Sequence, residues 1–266
     1  MKLNLKQGEY LGENLQVFET VYLKLSLTAY APDSFLKTHY HDNNYLSILM
    51  NGRYQEKGSG NTELVSCGDI LFRPDAYDHE NRFGSGGGVC FNIEFKKGWE
   101  RHFDLAFSLP VKYGHFRPGT FPSLYRLMIN FKNGFNEDTG FESIAEWLVA
   151  VNGTGPGKKM LPCIETATRI LEEETGCFHS LESLSRRVFV HPVYLSRAFR
   201  EKKGVTISEY QLRMKLAYAM SLLLNTEMSI SDISFRNGFY DDAHFIRSFK
   251  AVYRESPARF RRLTKS

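Results

Sequence analysis

The chain has 266 residues, 42% hydrophobic and 24% charged, with a formal net charge of +4. Those values exclude a long disordered chain and leave room for two domains of ordinary size. No stretch approaches the roughly 20 apolar residues of a membrane span, and the opening MKLNLKQGEY lacks an apolar signal core, so a cytoplasmic protein is expected.

Residues 15–95 read as short strands. Apolar and β-branched runs at 21–27, 46–50, 63–66, 70–72 and 89–95 are separated by Gly, Asn, Asp and Pro clusters, the pattern of a sandwich or barrel. At 123–131 and 142–151 the period becomes helical, with Leu124, Leu127, Met128 and Phe131 on one face, free either to pack on the strands or to form a dimer contact. NGTGPGKK, at 152–159, reads as a linker. The expected domains are therefore residues 1–151, a linker at 152–159, and residues 160–266.

Everything after the linker reads as helix. Pro162 opens the first helix, and Thr175-Gly176 ends it. Ser180 caps a second, Pro192 opens a third, and Thr206-Ile207-Ser208-Glu209 is a capping box for a long helix to about Leu224. Ser229 starts another helix, followed by helices over about 241–252 and 257–263. Charge separates the two halves: residues 160–266 carry 17 Lys+Arg against 12 Asp+Glu, whereas residues 1–159 carry 17 against 18. A neutral front and a basic back point to a back that meets a polyanion.

Two segments of the back share one plan when Leu195 is aligned with Phe245. Each has a capped short helix, a tight turn and a second helix anchored by Leu195 and Phe199, or by Phe245 and Phe249. Helical geometry then sets Val193, Ser196, Arg197 and Arg200 on the opposite face of the first unit. In the second unit it sets Asp242, Ala243, Ile246, Arg247 and Lys250 there. A short polar face centred on one Arg suits a DNA major groove, because guanidinium pairs with guanine O6 and N7. Arg200 and Lys250, at the rim, suit phosphates. The intervening helix, about 27 Å long at 1.5 Å per residue, would space the units for successive grooves roughly 34 Å apart.

The run HPVYLSRAFREKKGVTISEY, the RMKLAYAMSLLL helix, SISDISFRNGFYDDAHFIRSFK and the closing ESPARFR resemble the AraC/XylS family of transcription regulators. The resemblance implies a pair of helix-turn-helix subdomains and, usually, activation of transcription. One departure stands out: Phe189 occupies the place of a turn glycine, which predicts a reshaped first turn.

In the front half, His39-Tyr40-His41, Tyr45, Gly52, Gly68-Asp69, Pro74 and His79 resemble the two-motif pattern of a cupin barrel, which in such regulators binds an effector and dimerises. Tyr45 stands where metal-binding cupins have Glu, and Ala76 where they have Gly. His39, His41 and His79 could hold a divalent ion, since imidazoles two apart on a strand share a face; with Tyr45 they could instead line a site for an organic ligand. Alternation in residues 89–95 groups Cys90, Asn92 and Glu94 on one face, and leaves open whether Asn92 and Glu94 meet a ligand or solvent. Cys67, Cys90, Cys163 and Cys177 form no CxxC pair, so a zinc ribbon is not expected. Cys67 and Cys90 are either oxidant sensors or small buried hydrophobes.

The expected fold is thus α+β with two domains: a cupin-like barrel or sandwich with two trailing helices, then an all-α domain of two helix-turn-helix subdomains joined by a long helix. The expected function is a DNA-binding transcription regulator, an activator, modulated by a small molecule in the barrel. Its partners would be double-stranded DNA, RNA polymerase, the effector and a second copy as homodimer. No catalytic residue and no cofactor are assigned, with a divalent metal at the three histidines as the open alternative. The competing readings are a metal-dependent cupin enzyme on a DNA-binding tail, and a regulator whose front domain only dimerises.

Overall fold

The computed structural model describes residues 3–58, 60–102, 108–152, 161–174 and 176–265, apart from the side chains of residues 102 and 265. The linker expected at 152–159 lies almost wholly outside the described residues, as does Thr175. The chain divides into one unit of Met1–Thr154 with Ala258–Ser266, and another of Gly155–Pro257.

The first unit is built on one sheet. Its strands are β1 (Leu3–Leu5), β2 (Glu13–Glu19), β3 (Leu23–Tyr30), β4 (Phe35–His41), β5 (Tyr45–Gly58), β6 (Asn61–Ser66), β7 (Ile70–Arg73), β8 (His79–Phe95) and β9 (Gly114–Phe116). They run in the order β1-β4-β8-β5-β7-β9, with β3 also on β8, β2 on β3 and β6 on β5. The long strands β5 and β8 pair along most of their length, and each changes its second partner midway: β8 from β4 to β3, and β5 from β7 to β6. The change of partner falls where Gly52 pairs with Gly88 beside two register shifts. Gly52 has φ 86°, and a Cβ there would overlap the Gly87 carbonyl oxygen. Only glycine permits both the turn and the close approach.

Two helices, α1 (Pro122–Lys132) and α2 (Glu137–Asn152), cover one face of this sheet. Leu124, Leu127, Met128 and Phe131 of α1 are buried, as are Ile144, Trp147 and Leu148 of α2. The rings of Phe91 and Phe131 stand 5.1 Å apart, and those of Phe95 and Trp147 5.6 Å. The α1 stripe is therefore spent on the sheet, which removes it as a dimer contact.

The second unit contains α3 (Pro162–Glu173), α4 (Leu181–Arg187), α5 (Pro192–Lys203), α6 (Ile207–Asn225), α7 (Ile230–Arg236) and α8 (Asp242–Tyr253). Prolines 162 and 192 open α3 and α5, where the missing N–H leaves no helix bond unmade. Ser180 and Ser229 accept from Ser183 N and Asp232 N, and both halves of the Thr206–Glu209 capping box form. One core gathers Ile164, Ile170, Leu171, Leu184, Leu195, Phe199 and Ile207. Another stacks Phe239, Phe245, Phe249 and Tyr253, with successive ring centroids 4.5–5.8 Å apart. A last helix, α9 (Pro257–Lys265), falls from Ala258 onward in the first unit, where Phe260 is buried 6.1 Å from the Tyr125 ring. No helix among the described residues is long and apolar enough to cross a membrane.

Candidate nucleic-acid interface and effector cavity

In the second unit, α4–α5 and α7–α8 are two copies of one arrangement. Ser185 and Ser234 are buried at the same point of the first helix, and each carbonyl accepts from the residue after the turn, Val190 N at 3.1 Å and Phe239 N at 3.2 Å. Phe189 and Gly238 occupy the bend, with φ 55° and 63°. The first turn is thus not reshaped by losing its glycine: Phe189 adopts the left-handed conformation itself, with its ring 93% exposed. The second turn is one residue longer, and the extra residue is Tyr240, also 93% exposed. A single alignment offset therefore matches the second helices but slips by one on the first.

Leu195, Phe199, Phe245 and Phe249 are fully buried, so the opposite faces of α5 and α8 turn outward. Val193, Ser196, Arg197 and Arg200 are exposed and, with Leu181, line a shallow groove of about 400 Å³. Ala243, Ile246, Arg247 and Lys250 are exposed on α8. Asp242 differs: it is half-buried and accepts a hydrogen bond from the Ser231 hydroxyl. Neither Arg197, Arg200, Arg247 nor Lys250 has an ion-pair partner among the described residues, whereas Arg187 is held by Glu174 at 2.6 Å. Four unneutralised cations on the two outward faces are what a phosphate backbone and base edges require.

Some contributors were not legible in the sequence. Gln211 of α6 is buried and exchanges two 2.9 Å bonds with the backbone of His179, and Lys215 donates to Gly238 O at 2.9 Å. These bonds fix α6 to the lead-in of the first repeat and to the turn of the second. Phe235 on α7 and Tyr240 in the following turn are exposed aromatics of the second repeat. Only the break in the polar pattern could have pointed to them.

In the first unit a cavity of about 20 Å³ opens between β3, β4, β5, β7 and β8, lined by His39, His41, Tyr45, Arg73, His79 and Asn92 among others. Strand β4 sends His39 and His41 to the same face, and His39 pairs in register with His79 at the start of β8. All three are buried. Burial disfavours their charged forms, helped by neighbouring Arg73: it pushes His41 down to about 3, and also lowers His39 and His79. Tyr45 OH lies 3.1 Å from His79 Nε2. Asn92 lines the cavity with its amide donating to Thr28 Oγ1 at 3.0 Å.

Glu94 does not line it. Its carboxylate is buried elsewhere, accepting from Gly8 N at 2.8 Å and Asn43 Nδ2 at 2.7 Å. Burial raises its pKa while those donors pull it back. The strand face that carries Cys90, Asn92 and Glu94 is thus interior, and the solvent alternative falls. Burial also pushes the Cys90 thiol up to about 12, and Cys67 Sγ donates to Met50 O, so both behave as small buried groups.

Arg73, which lines the cavity, belongs to a buried ion pair that sequence reasoning missed. Arg73 Nε donates to Glu56 Oε1 at 3.0 Å, Nη2 to both Glu56 Oε2 and Tyr54 OH, the latter at 3.0 Å, and Nη1 to Ser47 Oγ at 2.8 Å. Burial works against the Arg73 charge, yet Glu56 raises its pKa overall. The one available signal was a charge ending the otherwise apolar strand ILFR.

Two capped helix pairs on a fixed spacer, with arginines outward, define a double helix-turn-helix domain. Residues 184–263 match the helix-turn-helix domain family. The chain is 24% identical over 97% of its length, and 90% of the relative's, to the uncharacterized HTH-type transcriptional regulator YisR of Bacillus subtilis. It is 32% identical over 36% of its length to the uncharacterized HTH-type transcriptional regulator YtdP of Bacillus subtilis, and 27% identical over 37% to the Msm operon regulatory protein of Streptococcus mutans. These last matches span only 13% and 36% of those relatives. Residues 184–263 thus belong to the helix-turn-helix domain family, and the chain is similar to HTH-type transcriptional regulators.

Proposed function

We propose that the protein is a sequence-specific DNA-binding transcription activator whose first unit binds a small ligand. The observation that carries the reading is the pair Arg197 and Arg247, exposed and, among the described residues, without ion-pair partners on the outward faces of two helices anchored by buried Phe199 and Phe249. Arg197 with Val193 and Ser196, and Arg247 with Ala243 and Ile246, would read base edges, while Arg200 and Lys250 hold phosphates. RNA polymerase is the partner that activation requires, and ligand binding in the cavity would bias how both repeats meet DNA.

The names of the relatives support this reading, and the first unit supplies a narrow cavity with polar lining. Footprinting and gel shift on DNA upstream of its own gene and its neighbours test it. Salt-sensitive, sequence-selective protection of two successive major grooves is expected. Uniform binding to all duplexes would overturn the reading.

A further inference from the structure

The cavity of the first unit is narrow. At about 20 Å³ it holds one water-sized occupant. Its polar lining is dominated by three imidazoles with ring nitrogens all within 4.8 Å of one another.

The way those rings are held is informative. His39 Nδ1 lies 2.8 Å from the Lys37 carbonyl, and His79 Nδ1 lies 3.0 Å from the Tyr77 carbonyl. A carbonyl only accepts, so in both rings Nδ1 carries the proton and Nε2 presents a lone pair. Donation of the far nitrogen to a backbone carbonyl is the arrangement that orients an imidazole towards a metal. The buried His41 ring stands 5.5 Å from the His39 ring and 5.8 Å from the His79 ring. The Tyr10 ring lies 5.3 Å from His41, and its buried hydroxyl has no partner of hydrogen-bonding geometry among the described residues. Three buried imidazoles gathered this closely, two of them oriented through Nδ1, are a donor set that suits a Lewis acid.

We propose that His39, His41 and His79 form the site for one divalent first-row transition-metal ion, and that this ion is the small ligand to which the first unit responds. The second clause rests on the regulator reading above; the first does not. Three imidazole nitrogens suit zinc, copper, nickel, cobalt or iron over magnesium or calcium. With metal–nitrogen distances near 2.0–2.1 Å, the rings must draw in by about an ångström. Tyr45, now on His79 Nε2, must release that lone pair and is placed to reach a solvent ligand at the fourth position. Arg73 faces the site too, but its charge is balanced by the Glu56 carboxylate. Drawing His39 and His79 together would pull β4 and β8 on each other at their paired residues, giving the ion a mechanical effect on the sheet.

The full-length chain is stripped with chelator, loaded separately with Zn²⁺ and Co²⁺, and assayed by elemental analysis and ligand-field absorption. One retained equivalent is expected, with a Co²⁺ spectrum of low coordination number. His41→Ala and His79→Gln should each lower affinity at least about 100-fold, beyond the 10–100-fold typical of an outer-shell change. His39→Gln, which preserves bulk, replaces any variant that does not melt cooperatively. Wild-type protein that retains no ion at micromolar metal, or variants that retain it equally, would overturn the site. Gel shift with and without Zn²⁺ then addresses the response: at least a tenfold change in DNA affinity, absent in His41→Ala, is expected. Equal affinity in both conditions overturns the sensing clause. Absence of selective DNA binding in every metal condition sinks the regulator reading instead, and the metal stoichiometry still stands or falls by itself.

Discussion

Phe189 and Gly238 hold the same position in the two helix-turn-helix units, and both bend the chain through a left-handed residue, φ 55° and 63°. For phenylalanine this conformation costs on the order of 1 kcal/mol, and its 93% exposed ring gains no packing in return. Phe189→Gly should leave the domain unchanged or more stable by up to about 1 kcal/mol, the gain being offset by the freedom glycine adds to the unfolded chain. Gly238→Ala should lose about 1 kcal/mol or more, because a Cβ there adds a 3.2 Å approach to Gly176 O to the same strain. Urea denaturation of the two variants checks the contrast, and a destabilised Phe189→Gly would show that the exposed ring makes a contact.

The outward arginines separate by role. Arg197→Ala and Arg247→Ala should each weaken specific binding by about 1–3 kcal/mol and relax the preference at one base pair. Lys250→Ala should weaken binding to every sequence and reduce the salt dependence by about one counterion. Affinities on specific and random duplexes across a salt series distinguish these outcomes. If both arginine variants kept full affinity and selectivity, the faces assigned here would be wrong.

Arg73 and Glu56 predict a stability effect in the first unit. Both side chains are at most 3% exposed, and among the described residues the guanidinium donates to Glu56, Ser47 and Tyr54. Glu56→Gln leaves a buried cation without its counter-charge, a change that costs about 3–5 kcal/mol. Calorimetry should show a large drop in the melting temperature of the first unit. A drop under about 1 kcal/mol would mean that water reaches Arg73 in solution.

What the sequence disclosed follows the range of the interactions. Caps, N1 prolines and Phe-anchored faces are written within a few residues, so the second unit was legible nearly helix by helix. In the first unit strand alternation put His39 with His41 and Asn92 with Glu94, and the cupin resemblance added Tyr45 and His79, but neither could say where the carboxylate of Glu94 goes. Its partners Gly8 and Asn43 lie 86 and 51 residues away. Strands β5 and β8 were read as shorter pieces because their glycine-rich middles look like turns, whereas Gly52 and Gly88 let paired strands bend and exchange neighbours. The partnership of Arg73 with Glu56 had no local sign, since it depends on β5 pairing with β6 and β7 at different points along its length.

The first unit should be most stable in its metal-free form near pH 6.5, because two sets of histidines pull in opposite directions. His39, His41 and His79 have folded pKa values below the unfolded value of about 6.5. The unfolded chain therefore binds more protons, and stability falls as pH drops below about 6.5, by up to about 1.4 kcal/mol per unit for each ring, continuing towards pH 3 for His41. His115 behaves oppositely. Its Nδ1 lies 2.8 Å from Glu63 Oε2 and its Nε2 3.0 Å from Asp69 Oδ2. The bonds to Asp69 and then Glu63 raise its pKa against burial. That contribution is complete below about pH 6.5 and is lost as pH rises through the raised value. His115 sits on β9, so its deprotonation loosens β9 from β7 and β6. In His115→Gln the decline above pH 6.5 should vanish while the acid limb remains, as read from urea midpoints between pH 4 and 9. An alkaline decline that persists unchanged in His115→Gln would assign that limb to other groups and remove His115 as the clasp.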